Sequence, residues 1–246
     1  MISPSDYACN ELVAGATRIG LRHIREQIPN QDAILCKRYE HGVIVAVADG
    51  VGSDEYSHVG SKAAVFAVHS AFEKLQMGLI DSTKIAESIM ESYVTAIDKA
   101  YQAQAATTCI YMAFIYERGL YLGQVGDGIC CGAINNENFV LQTKDDEFTN
   151  VVKPLSAVNC RSEWTEAFVP ADKLNSINVM ISTDGVSEDI LPSKECDFTK
   201  FIIDKLHPIS SEKRDKYLQS LLKNWSTPQS IDDKTFCFYS WKKGEN

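Results

Sequence analysis

The chain has 246 residues, 45% of them hydrophobic and 23% charged, the balance of a globular fold and not of a disordered one. Its 24 Lys and Arg stand against 33 Asp and Glu, and the net charge of −9 lacks the basic footprint of a nucleic-acid binder. No apolar run reaches the ~18 residues of a membrane helix, and the first residues, MISPSDYACNELVAG, lack the basic and apolar regions of a signal peptide.

In chain order, the first strong element is a strand over Gly42–Ala48 (GVIVAVA). Two amphipathic helices follow. Val59–Gln76 aligns Val59, Ala63, Phe66, Ala67 and Ser70, and Thr83–Ala105 aligns Ile85, Ile89, Tyr93, Ala96, Ile97, Ala100 and Tyr101. Strands are then predicted over Thr108–Tyr116 and Gly119–Val125, with Glu117-Arg118 as the hairpin turn between them. Further strands are predicted over Ile129–Ile134, Asn178–Ser182 and Phe236–Trp241, with a helix over Glu212–Asn224. Two helices in tandem and then a run of strands is not a βαβ alternation; it predicts an α+β layered fold with mainly antiparallel sheet. No linker, repeat or low-complexity tract divides the chain, so residues 1–246 are expected to form one domain.

Eight cysteines include no Cys-x-x-Cys, and five histidines no His-x-x-x-His. The thiols are therefore read as reduced, buried small hydrophobes of a cytoplasmic protein.

The chemistry is carried by aspartates at strand ends. Asp49-Gly50, Asp127-Gly128 and Asp184-Gly185 each follow an apolar run, and Asp232-Asp233 directly precedes TFCFYSW. Strand ends of one sheet system converge at a rim, and carboxylates gathered there need a counter-charge to stay ionised. Oxygen-only donors select hard divalent cations, Mg²⁺ or Mn²⁺. Glycine after each aspartate permits a sharp turn and leaves its carbonyl available as a ligand. Any one Asp-Gly alone reads first as a turn; it is the set together that points to a site.

Together NQDAI (30–34), VADGVGS (47–53), VGDG (125–128), STDGVSE (182–188) and DDKT (232–235) resemble the metal-dependent type 2C Ser/Thr protein phosphatases, in the family's order and over about residues 11–241. The likeness is to the compact bacterial branch in which Gln-Asp replaces Glu-Asp. The resemblance implies a four-layer αββα sandwich, two antiparallel sheets flanked by helices, with a two-metal centre at one end. It implies that Asp49 bridges two Mg²⁺ or Mn²⁺ ions, that Gly50 lends its carbonyl to one, and that Asp184 and Asp232 complete the other. Asp127, with Asp184, corresponds to a third and weaker metal site. Asp32 would hold metal-bound water from behind, so Asp32 and Asp49 are the catalytic candidates. Asp233 stands where Asn is common and is given no role.

The activity implied is hydrolysis of phosphoserine or phosphothreonine by a water activated between the metals, with phosphoprotein substrates and a Ser/Thr kinase as partners and neither nucleic acid nor membrane. The chain departs from the family at three places. Gln27 replaces the arginine that grips phosphate in many relatives, leaving Arg22, Arg25 and His23 as substrate-binding candidates. Gln31 replaces a metal-site Glu, and Val51 a histidine general acid, leaving a metal-held water or His58 to protonate the leaving group. The polar stretch Thr143–Ser176 resembles the family's variable flap. The competing readings are a non-catalytic phosphoprotein-binding domain and a hydrolase of small phosphoesters.

Overall fold

The computed structural model describes residues 11–141, 153–158, 161–225 and 231–244. The strand predicted over Gly42–Ala48 is present with those bounds and is buried along its length. It is β3, preceded by β1 (Glu11–Arg18), the short helix α1 (Leu21–Glu26) and β2 (Ala33–Tyr39). After it come α2 (Ser57–Gln76), α3 (Ile85–Ala96), β4 (Cys109–Ile115), β5 (Gly119–Val125), β6 (Ile129–Ile134) and β7 (Glu137–Leu141). The chain continues through β8 (Thr165–Pro170), β9 (Ser176–Ser182), the single turn α4 (Asp184–Ser187), α5 (Glu195–Leu206), α6 (Ser211–Lys223) and β10 (Lys234–Lys242).

The strands form two antiparallel sheets of five, in the orders β1-β10-β9-β6-β7 and β2-β3-β4-β5-β8. The period of two along each strand divides the apolar residues among three interiors. On β3, Val43, Val45 and Val47 face the other sheet, where they meet Ile177, Val179 and Ile181 of β9 and Tyr239 and Trp241 of β10. The alternate residues Ile44, Ala46 and Ala48 pack under α2 and α3 with Phe72, Ile85 and Ile89. On the other outer face Phe236 and Phe238 of β10 meet Ile202 and Leu206 of α5 and Leu218 and Leu222 of α6. The result is the expected α+β sandwich of four layers, helices on both outer faces.

The helix predicted over Thr83–Ala105 ends early. After Ala96 the chain turns extended at Ile97, and the Gln102 amide caps the carbonyls of Val94 and Ile97 at 2.9 and 3.1 Å. Asp98 closes the next turn by accepting from the Ala100 N–H at 2.9 Å. Part of the predicted flap, residues 143–152 and 159–160, lies outside the described residues. Its described portions are anchored: Leu155, Val158 and Trp164 are buried under the α2/α3 layer, and β8 pairs with β5.

Candidate metal centre

The last pair of the β2–β3 ladder is Ala33↔Ala48, so Asp32 and Asp49 continue from facing strands at one end of the sandwich. Ser182 at the end of β9 pairs with Ile129 on one side and Phe236 on the other. This brings Asp184 and the Asp232-Asp233 pair to the same end from the opposite sheet, together with the Asp127 turn, which joins β5 of one sheet to β6 of the other.

Asp49 is fixed by its backbone. Its carbonyl accepts from the Thr108 N–H and the Thr107 hydroxyl, both at 2.7 Å, and its N–H donates to the Thr108 hydroxyl at 3.0 Å. Gly50 forms an isolated antiparallel bridge opposite Thr107 and turns its own N–H to the Gln31 carbonyl at 3.1 Å. A Cβ on Gly50 would lie 2.7 Å from the Ser57 Cβ and 2.8 Å from its carbonyl carbon, so only glycine lets the start of α2 approach this closely. His58 follows in that first turn of α2; burial and then the neighbouring Lys62 charge lower its pKa.

Asp32 is buried, and its Oδ2 accepts from the Thr183 hydroxyl at 2.9 Å. Burial pushes its pKa up to about 7; the Asp233 and Asp184 charges add to the rise, and hydrogen bonds from Thr235 and Thr183 oppose it. The Asp49 carboxyl is held well above the usual carboxylate range, first by burial and then by the charges of Asp32, Asp184 and Asp127, with a hydrogen-bonding contact to Asp184. Asp32 Oδ1 and Asp184 Oδ1 are both buried, with no hydrogen-bond partner among the described residues. Buried carboxylate oxygens without a donor are costly in a metal-free fold. Like-charged carboxylates with orphaned oxygens fit a hard divalent cation, which supplies the missing charge and takes oxygen ligands.

Asp232 is half-exposed at the rim, 3.4 Å from Arg22 Nη2. Burial first, and then the charges of Asp184, Asp189 and Asp232, raise the pKa of Glu188, so this carboxylate, quoted in STDGVSE but given no role there, extends the acidic rim. Arg22 also lies beside Gly52, where a Cβ would stand 3.2 Å from its Nη2. Arg25 is exposed on α1.

His23 is buried instead and turns inward: its Nδ1 lies 2.9 Å from Asp233 Oδ2, and its Nε2 3.1 Å from Arg22 Nη2 and 4.0 Å from Asp232. Asp233, given no role by the sequence, is the buried hub of this corner. Its Oδ1 accepts from the Gly20 N–H and its Oδ2 from the Gln31 N–H, both at 2.6 Å. It thereby ties the segment before α1 and the segment before β2 to the start of β10. Donor atoms of His23, Asp232 and Asp233 lie within 4.8 Å of one another, close enough to hold a cation. Both Asp233 oxygens already accept from backbone N–H groups, whereas in Asp232 the contacts with the Asp233 N–H and Arg22 fall on Oδ1.

Lys234, next in the chain, is buried, an exception for this residue type. Its ammonium donates to the Gly185 carbonyl and lies 2.9 Å from Asp189 Oδ2, which also accepts from Trp225 Nε1 at 2.9 Å. This pair clamps the turn that begins with Asp184. Composition offered no signal for it beyond a Lys flanked by Asp and Thr.

The protein phosphatase 2C family pattern matches residues 19–223, and the chain belongs to that family. No curated protein sequence matches the chain. Among solved structures it is similar to RsbX in complex with magnesium at 16% identity and a TM-score of 0.59, covering 95% of this chain and 96% of that one. A bacterial serine phosphatase matches at 16% identity and a TM-score of 0.64, over 95% and 99% of the two chains. The catalytic domain of the serine/threonine protein phosphatase PstP, with two manganese ions, matches at 16% identity and a TM-score of 0.63, over the same 95% and 99%. At such identity the structural likeness shows the shared fold.

Proposed function

We propose that the protein is a Mg²⁺- or Mn²⁺-dependent phosphatase of phosphoserine and phosphothreonine in proteins. The observation that carries this reading is the convergence of Asp32, Asp49 and Asp184, from both sheets, with two buried carboxylate oxygens lacking a donor. Asp49, the Gly50 carbonyl, Asp184 and Asp232 would hold two cations, and Asp127, on the exposed β5–β6 turn, would join Asp184 in a third, weaker site. Bound there, the metal pair supplies Lewis acidity toward phosphoryl oxygens and a nucleophile generated from water at neutral pH.

The chain's own groups do the positioning. Thr183 orients Asp32 by its 2.9 Å hydrogen bond, leaving Oδ1 free to accept from water in the site. Arg22, at the rim between Asp232 and Gly52, supplies planar donors for substrate phosphate in place of the absent arginine at Gln27. Arg25 is exposed on the same helix, where its charge would add to the attraction of a phosphorylated chain. His23 holds Arg22 from beneath.

Phosphoproteins and a kinase that makes them are the partners this activity requires. A cytoplasmic setting agrees with the free thiols at positions 36, 109, 130, 131, 196 and 237. Among the described residues no helix is long and apolar enough to cross a membrane.

The test is phosphate release from a phosphothreonine peptide. Turnover should require Mn²⁺ or Mg²⁺, stop with EDTA and be lost in Asp49→Asn. Peptide binding without turnover at any metal concentration would leave a phosphoprotein-binding domain, and preference for nucleotides over phosphopeptides would leave a small-phosphoester hydrolase.

A further inference from the structure

Cys36 and Cys237 are separated by 201 residues and belong to opposite sheets, yet their sulfurs lie 3.1 Å apart. Both side chains enter the space between the sheets. Cys36 follows Ile34 by two residues on β2, and Cys237 alternates with the outward Phe236 and Phe238 on β10. The contact exists because Gly15, the register partner of Cys237 on β1, has no side chain. A Cβ there would come 2.7 Å from the Cys36 sulfur and 3.0 Å from that of Cys237. Cα atoms of β2 and β10 approach within 8 Å of each other. The sulfurs need close only by roughly 1 Å to reach the ~2.05 Å of a disulfide bond.

Access is asymmetric. Cys36 is exposed on an edge strand, whereas Cys237 is fully buried. That is the arrangement of an attackable thiol with a resolving thiol behind it.

We propose that Cys36 and Cys237 form a peroxide-oxidisable dithiol that closes to a disulfide between the two sheets. The Cys36 sulfur, as thiolate, attacks a hydroperoxide; the O–O bond breaks, giving a Cys36 sulfenic acid and releasing water or the corresponding alcohol. The Cys237 sulfur then attacks the sulfenic sulfur. The S–S bond forms, the S–O bond breaks, and the hydroxyl leaves as water with the Cys237 proton. Two thiols lose two electrons and two protons, and the hydroperoxide takes up both. The bridge joins the strand that starts immediately after Asp32 to the strand that starts immediately after Asp233, so it fixes the spacing of the two strands that deliver those carboxylates.

The experiment treats the reduced full-length chain with stoichiometric hydrogen peroxide and maps its peptides without reduction. The expected result is a linked pair containing Cys36 and Cys237, about 2 Da lighter than its parts, with loss of two of the eight titratable thiols. The unfolding temperature should rise by about 5–15 °C, since the bridge closes a loop of some 200 residues, and dithiothreitol should reverse it. Cys36→Ser, at the exposed end, should abolish both the linked pair and the shift. The proposal is overturned if Cys36 stops at sulfenic or sulfinic acid, if it pairs with another cysteine or another chain, or if wild type and Cys36→Ser respond alike.

Discussion

The Thr183 hydroxyl donates to Asp32 Oδ2 at 2.9 Å, joining the end of β9 to the start of β2 across the two sheets. Asp32 Oδ1 stays buried without a donor among the described residues. Burial, with the Asp233 and Asp184 charges, outweighs the opposing hydrogen bonds, so Asp32 binds a proton more tightly in the fold than in the unfolded chain.

A first prediction concerns pH. The Asp32 carboxyl titrates near its ordinary 3.8 when unfolded and at about 7 when folded. Its contribution to the metal-free protein is complete below the lower value and is lost as pH rises through the upper one. Urea unfolding in EDTA should therefore show stability falling between these values, by up to about 1.4 kcal/mol per pH unit from this group. Asp32→Asn should flatten the slope; an unchanged slope would place the titration elsewhere.

Metal should take the proton's place. Titrating Mn²⁺ into the protein at pH 6 should release protons, measurable as a dependence of the binding heat on buffer ionisation enthalpy. Asp49→Asn removes one charge from the crowded cluster, so it should raise the melting temperature of the EDTA-treated protein while removing most of the stabilisation that Mn²⁺ confers.

Arg22 and Arg25 should separate. Arg22 lies 3.4 Å from Asp232 at the rim, whereas Arg25 is exposed further along α1. Arg22→Ala should raise KM for a phosphopeptide about tenfold with a smaller change in kcat, and Arg25→Ala should do less. Equal effects would mean that general positive charge, and not contact, draws the substrate.

The Lys234–Asp189 pair is a stability element beneath the site. Lys234→Met leaves the Asp189 carboxylate, 1% exposed, without its cation and should cost about 3–5 kcal/mol. Lys234→Met combined with Asp189→Leu should recover much of that loss in chemical denaturation. The recovery would be partial, because Trp225 also loses its acceptor.

At the opposite end of the sandwich, Glu11 accepts from Tyr239 at 2.6 Å and Tyr116 at 3.1 Å, with Arg38 Nη1 at 3.6 Å. Glu11→Ala should cost about 3 kcal/mol by removing the acceptor that the buried Tyr239 and Tyr116 hydroxyls share, yet leave kcat unchanged.

The six strands predicted from sequence are the six interior strands of the two sheets. The four that escaped prediction, β1, β2, β7 and β8, are the four edges. The reason is burial. β3, β4 and β5 are covered along their whole length; β3 and β4 read as unbroken apolar runs and β5 as one broken only by Gln124, whereas Lys37 and Arg38 of β2 and Glu137 and Asn138 of β7 interrupt the pattern. Asp49, Asp127, Asp184 and Asp232 were legible because each sits beside a glycine or a second aspartate at the end of an interior strand; Asp32, before the edge strand β2, was reached only through the resemblance carried by NQDAI. The Asp233 hub, the Thr183 bond and the Cys36–Cys237 contact were not legible, because each joins residues some 150 or more positions apart that meet only when the sheets stack.

The β2–β3 hairpin turns through two residues, Glu40 and His41, between Tyr39 and its partner Gly42. Side chains on a strand alternate faces, so one residue added at that bend would slide one arm against the other and rotate Asp32 away from Asp49. The distant loop thus acts as a ruler for the acidic end.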